Sequence, residues 1–129
     1  MRTLAVAAFL CLAGTYATAL SAESVSLVNL ISNPEKYDGK KVIVSGYLSL
    51  DFEGSAIYLH KDDYENTITT NGVWCVADLV KYKEFDHSYV SIEAVFDAKN
   101  HGHLNLFAGE LKEISRVWAC VKSRKQGTP

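Results

Sequence analysis

From Lys41 onward the apolar residues of this chain recur at every second position. Val42, Val44 and Leu48 fall on one face, and Ile43, Ser45, Tyr47 and Ser49 on the other, which predicts a first strand. Gly46 interrupts it where a bulge or sharp coil is expected. After the turn residues Glu53-Gly54-Ser55, a second run from Ala56 to His60 alternates Ile57 and Leu59 against Tyr58 and His60. A polar stretch, Lys61 to Gly72, ends in the turn signal Asn71-Gly72 and leads to a third strand, Val73 to Ala77. Asp78 to Ser88 reads as an irregular connection with one helical turn. The fourth strand, Tyr89 to Phe96, turns Val90, Ile92, Ala94 and Phe96 inward. A fifth is predicted from Leu104 to Ile114, with Leu104, Leu106 and Ala108 on one face. Leu111 and Ile114 leave that phase, so a bulge is expected around Gly109.

A helical prelude precedes the strands. Leu27, Val28, Leu30 and Ile31 are spaced for one helix face, with Ser26 or Ser24 as cap. Asn33-Pro34-Glu35-Lys36-Tyr37 predicts another turn of helix, with Asn33 as cap and Pro34 in the first position, closed by Asp38-Gly39. Helices this short are unstable alone and must lean on a larger body. The fold expected is all-β with short helices: a five-stranded barrel preceded by a short N-terminal helix. Closure hides sheet edges that so short a chain has no other means of covering.

The segment Asn33-Pro34-x-x-Tyr37-x-Gly39-Lys40-x-Val42-x-Val44-x-Gly46-Tyr47-Leu48 resembles OB-fold domains of small exported bacterial proteins. Val90-x-Ile92-Glu93-Ala94-x-Phe96-Asp97, and Gly102-His103 followed by Gly109 and Ile114, extend the resemblance from about Ser24 to Val117. It implies a Greek-key barrel whose first strand coils through both halves. It also implies a binding surface on the outer wall of strands two and three, with the flanking loops.

The first residues change where such a domain works. Arg2, an apolar or small run from Leu4 to Gly14, and Ala17-Thr18-Ala19 form a secretory signal too short to be a permanent span. Residues 1–19 are expected to be cleaved, leaving a barrel over 20–121, a disordered tail over 122–129, and a periplasmic or secreted protein. Cys11 follows Phe9-Leu10 inside the apolar run, so it is expected to leave with the signal and carry no lipid. No membrane span is expected afterwards. Of the 13 basic residues only Arg2 leaves with the signal, so 12 face 15 acidic ones and the net charge becomes −3. That balance makes nucleic acid an unfavourable partner. The basic residues Lys122, Arg124 and Lys125 of the tail are expected to be solvated.

Cys75 and Cys120 remain, and an oxidising compartment allows them to pair or to stay as separate thiols. A disulfide would stabilise the domain by about 4 kcal/mol in the simple loop model. No CxxC motif points to redox catalysis, and no nucleophile signature points to hydrolysis. Two constellations remain. His101 and His103, with Asp97, lie close enough in sequence to contribute to a zinc site, although a turn set by Asn100 and Gly102, with the imidazoles hydrogen-bonded locally, is the favoured reading. Tyr47, Tyr58 and Trp74 are expected on the outer face of the first three strands, either as a ligand-stacking surface or packed beneath the 61–72 segment. Asp62, Asp63 and Glu65 lack calcium-loop spacing and are expected to be solvated, with Asp62 capping a turn through Tyr64. The function expected is a non-catalytic binding module of the cell envelope, with no cofactor, for a protein, peptide or small ligand. The alternatives are a zinc-dependent protein or hydrolase centred on the histidines, and an oligosaccharide or nucleic-acid binder.

Overall fold

A computed structural model describes residues 20–121. The expected signal segment, Cys11 and the basic tail residues lie outside this range. Among the described residues, no helix is long and apolar enough to cross a membrane.

The elements are β1 (Glu23–Ser24), α1 (Leu27–Ser32), α2 (Pro34–Tyr37), β2 (Lys41–Ser49), β3 (Ala56–Tyr58), α3 (Lys61–Glu65), β4 (Gly72–Cys75), β5 (Ser88–Asp97) and β6 (Glu110–Ala119). β2 to β6 close a five-strand mixed barrel in the order β2-β3-β4-β6-β5 and back to β2. All pairings in the closed ring are antiparallel except β4 with β6. β1 adds a short parallel pairing outside the ring, matching Glu23 to Val42 and Ser24 to Ile43.

Closure depends on β2 pairing along both of its edges. Lys41 to Leu48 run against β5, while Tyr47 to Ser49 also run against β3. The strand coils at Gly46, where a Cβ would collide with the Tyr58 carbonyl, Leu27 Cδ1 and Ile57 Cγ1. Only a residue without a side chain admits that approach. Val42, Val44, Leu48, Ile57, Val73, Ile92, Phe96 and Leu111 fill the interior, and Leu27 and Leu30 of α1 join the same core. Each such buried aliphatic side chain contributes about 2 kcal/mol, which is what holds a six-residue helix in place. Ser26 caps α1 as expected, accepting from the Asn29 N–H at 3.1 Å.

The last strand departs from expectation. It begins at Glu110, and Leu104 and Leu106 stand exposed in the preceding loop. The cause is local: Gly102, Leu104 and Asn105 all take left-handed φ, at 65°, 54° and 59°, and three such residues within four positions cannot continue a ladder. The bulge also sits later. The register jumps from Glu93–Arg116 to Val95–Lys112, so Glu113 to Ser115 oppose Ala94, with Glu113 at φ 51°. Gly109 instead lies against the Phe96 ring.

The Cys75–Cys120 disulfide does not form. Both thiols are free, Cys75 buried and Cys120 exposed. Cys75 pairs with Leu111, and Cys120 lies beyond the far end of β6, on the order of 25 Å away along the strand. A disulfide needs Cα atoms within about 7 Å. Burial pushes the Cys75 thiol up to about 12. Cys120→Ser is therefore expected to remove one fast-reacting thiol in an Ellman assay of folded protein, and Cys75→Ser none. A second prediction concerns the coil: Gly46→Ala should cost about 3 kcal/mol or abolish folding, read as the shift in a urea unfolding midpoint.

Candidate functional site

Alternation on the barrel strands sends one set of side chains inward and leaves another outside. On this chain the outer set is unusually aromatic. Tyr47 on β2 lies opposite Tyr89 on β5, Tyr58 lies on β3, and Trp74 lies on β4. Segments packed over the wall add Tyr64 from α3, His87, His103 and Phe107.

These eight rings form one continuous belt. Centroids lie 6.4 Å apart for His103–Trp74, 5.3 Å for Trp74–Phe107 and 6.2 Å for Phe107–Tyr58. The chain continues at 5.7 Å from Tyr58 to Tyr64, 5.8 Å to Tyr47 and 5.4 Å to Tyr89. His87 closes the end, 5.4 Å from Tyr64 and 6.3 Å from Tyr47. Such pairs contribute about 1 kcal/mol each beyond area burial, and they weld α3 and the β5–β6 loop to the barrel.

The middle of the belt is covered and its ends are open. Tyr47 and Tyr58 are 3% and 5% exposed, packed beneath the 61–72 segment, whereas Tyr89 is 45% exposed and Trp74 half-buried. At the Tyr89 end lies a cleft of about 830 Å³, lined by Tyr47, Lys61, Tyr64, Glu65, His87, Ser88, Tyr89 and the stretch Ala119 to Val121. Its polar groups are arranged by the fold. The Tyr89 hydroxyl accepts the Lys61 N–H at 3.1 Å, anchoring the start of α3 to β5. His87 Nδ1 lies 3.3 Å from the Tyr47 hydroxyl, and Lys61 pairs with Glu65 at 3.2 Å. Burial holds the Tyr47 phenol above its ordinary value, so it stays protonated at neutral pH. His87 itself takes φ 52°, a conformation disfavoured for any residue with a side chain.

The residues expected to hold zinc each meet a different partner. Asp97 binds Lys112 at 2.8 Å and caps the N–H groups of Lys99 and Asn100. His101 Nδ1 is 2.8 Å from the Phe107 carbonyl, and His103 stacks on Trp74. Among the described residues, no three His, Cys, Asp or Glu side chains group as a metal site. In the 61–72 segment, Asp63 rather than Asp62 caps α3: it accepts from the His60 N–H at 3.1 Å and from Asn71 Nδ2 at 3.0 Å.

Of the three aromatics singled out from sequence, Tyr47 lines the cleft, Tyr58 joins the two halves of the belt, and Trp74 stands at its other end. Sequence reasoning missed Tyr64, His87 and Tyr89. Tyr89 carried a signal, because it occupies the outward phase of the fourth strand. Tyr64 and His87 lie in connections where periodicity is silent. Comparison with protein-family models, with curated proteins and with solved structures returns no match.

Glu110 lies opposite both Trp74 and Asp97 and is 7% exposed. Burial pushes its carboxyl up, neighbouring Asp97 adds to the rise, and Lys112 opposes it. The folded state thus holds this proton more tightly than the unfolded chain does. The ionised group weakens the fold above the raised value, and that penalty disappears as pH falls below the ordinary glutamate range. Glu110→Gln should raise the thermal midpoint at pH 8 and leave it nearly unchanged at pH 4.

Proposed function

We propose that this chain is an exported OB-fold module that binds without catalysing, and that a peptide segment or small ligand of the cell envelope rests in the tyrosine cleft. The strand order supports the OB-fold reading, since strands three and five of the ring run parallel and the first strand serves both halves. A barrel this small fills its own interior, so binding falls to the outer wall and loops.

The observation that carries the proposal is the cleft itself. Three tyrosine rings line it, and its charged rim groups, Lys61 and Glu65, already neutralise each other. That composition favours apolar contact with a few hydrogen bonds, the usual chemistry of a small-ligand site. Among the described residues the Tyr64 hydroxyl has no protein partner, which leaves a group to orient a ligand. The protonated Tyr47 phenol beside His87 is a hydrogen-bonding pair, not an activated nucleophile. An oligosaccharide is the second reading, favoured by the exposed Tyr89 ring beside polar rim groups. For zinc, Asp97, His101 and His103 supply no comparable support, since among the described residues they do not group with one another or with a third carboxylate or thiol as a metal site.

Amide shift mapping tests the proposal, with capped Leu-Tyr-Leu peptide and a chitotriose as probes. Shifts are expected at Tyr64, His87, Tyr89 and Cys120 with at least one probe, and Tyr64→Leu should remove them. No saturable shift with either probe, or shifts confined to other surfaces, would contradict the proposal.

A further inference from the structure

The opposite end of the belt opens on a second depression of about 300 Å³ that shares no lining residue with the tyrosine cleft. Phe52, Trp74, Val76 and Leu79 wall it, and Asp51 is its only carboxylate. Phe52 is 86% exposed and Val76 55%, an apolar surface with nothing over it among the described residues.

The β2–β3 loop that presents Asp51 and Phe52 is held in shape by its own hydrogen bonds. Asp51 N–H donates to Ser55 Oγ at 3.1 Å, and the Ser55 hydroxyl donates back to the Asp51 carbonyl at 2.9 Å. Asp51 Oδ1 accepts the Phe52 N–H at 2.7 Å, which leaves Oδ2 without a protein donor among the described residues. Glu53 stands on the same loop, exposed, and Asp78 follows β4. Lysines that follow in the β5–β6 region are already committed, Lys112 to Asp97 at 2.8 Å and Lys99 to Asp38 at 3.7 Å. Glu110, opposite Trp74 in the β4–β6 register, adds a further carboxyl without a hydrogen-bonding or ion-pair partner among the described residues.

We infer that this depression receives one cationic side chain, arginine or lysine, from an apolar segment of a protein partner. The Trp74 and Phe52 rings attract a cation through their faces, and arginine stacks on such rings best. Asp51 neutralises the charge, and the methylene stem covers Val76 and Leu79. An acidic segment is repelled by Asp51, Glu53 and Asp78 together. This site stands independently of the tyrosine cleft.

The chain has two tryptophans, so Trp118→Phe leaves Trp74 as sole reporter. The probe is capped Leu-Arg-Leu peptide, with capped Leu-citrulline-Leu and Leu-Glu-Leu as controls. The arginine peptide should change Trp74 emission saturably and shift the amides of Asp51, Phe52 and Val76. Asp51→Asn, which retains the oxygen facing Phe52 N–H, should weaken binding about threefold. Circular dichroism of each variant confirms that it is folded. An equal response to citrulline, no saturable change with arginine in folded protein, or shifts at Tyr64, His87 and Tyr89 alone would overturn the inference. The last of these would leave the cleft proposal intact.

Discussion

Everything in this molecule follows from one strand serving two neighbours. β2 pairs with β5 along nearly its whole length and with β3 at its end, and Gly46 is the point where the backbone coils tightly enough for both. Once β2 is shared, the barrel closes, and Val42, Val44 and Leu48 are fixed inward, where they help fill the core. The same alternation sends Tyr47 outward beside Tyr89, and Tyr58 and Trp74 follow on the next strands. Closure therefore determines both the apolar core and the aromatic outer wall.

The outer wall then organises what the strands do not. α3 has five residues, too few to persist alone. It is held because Tyr64 enters between Tyr47 and Tyr58 while Tyr89 receives its first N–H. The β5–β6 loop is held in the same way, by Phe107 between Tyr58 and Trp74 and by Gly102 (φ 65°) against the Trp74 ring. A covered middle and two open ends are the natural result, since each covering segment reaches only part of the belt. Farther along the same β2 and β5 strands, and on β6, lies a set of charges in which Glu93 accepts from Ser115 and pairs with Lys41 and Arg116, which holds its carboxyl below the ordinary range.

The strands β2 and β5 were legible because period-two alternation over eight or more residues leaves little ambiguity, and Ser26 and Pro34 marked the helices by their chemistry. Leu104 to Ala108 misled for a physical reason. Its alternation is real, but consecutive left-handed residues override it, and the exposed leucines belong to a loop. The two cysteines were ambiguous because spacing carries no information about which end of β6 each would reach. Tyr47, Tyr58 and Trp74 were readable as an outer aromatic set. The ring that unites them, Tyr64, sits on a helix too short to announce itself, and His87 precedes a strand in a strained turn.

The molecule is a closed barrel with a filled core and a continuous, open-ended belt of aromatic contacts along its outer wall. Proton–proton Overhauser contacts between side chains, measured on the folded protein in solution, address this arrangement directly. The account requires an unbroken path of ring-to-ring contacts from Trp74 through Phe107, Tyr58 and Tyr64 to Tyr47 and Tyr89, with Leu27 contacting Ile57 across Gly46. A path that stops between Tyr58 and Tyr64, or interior methyl groups in contact with water, would contradict it.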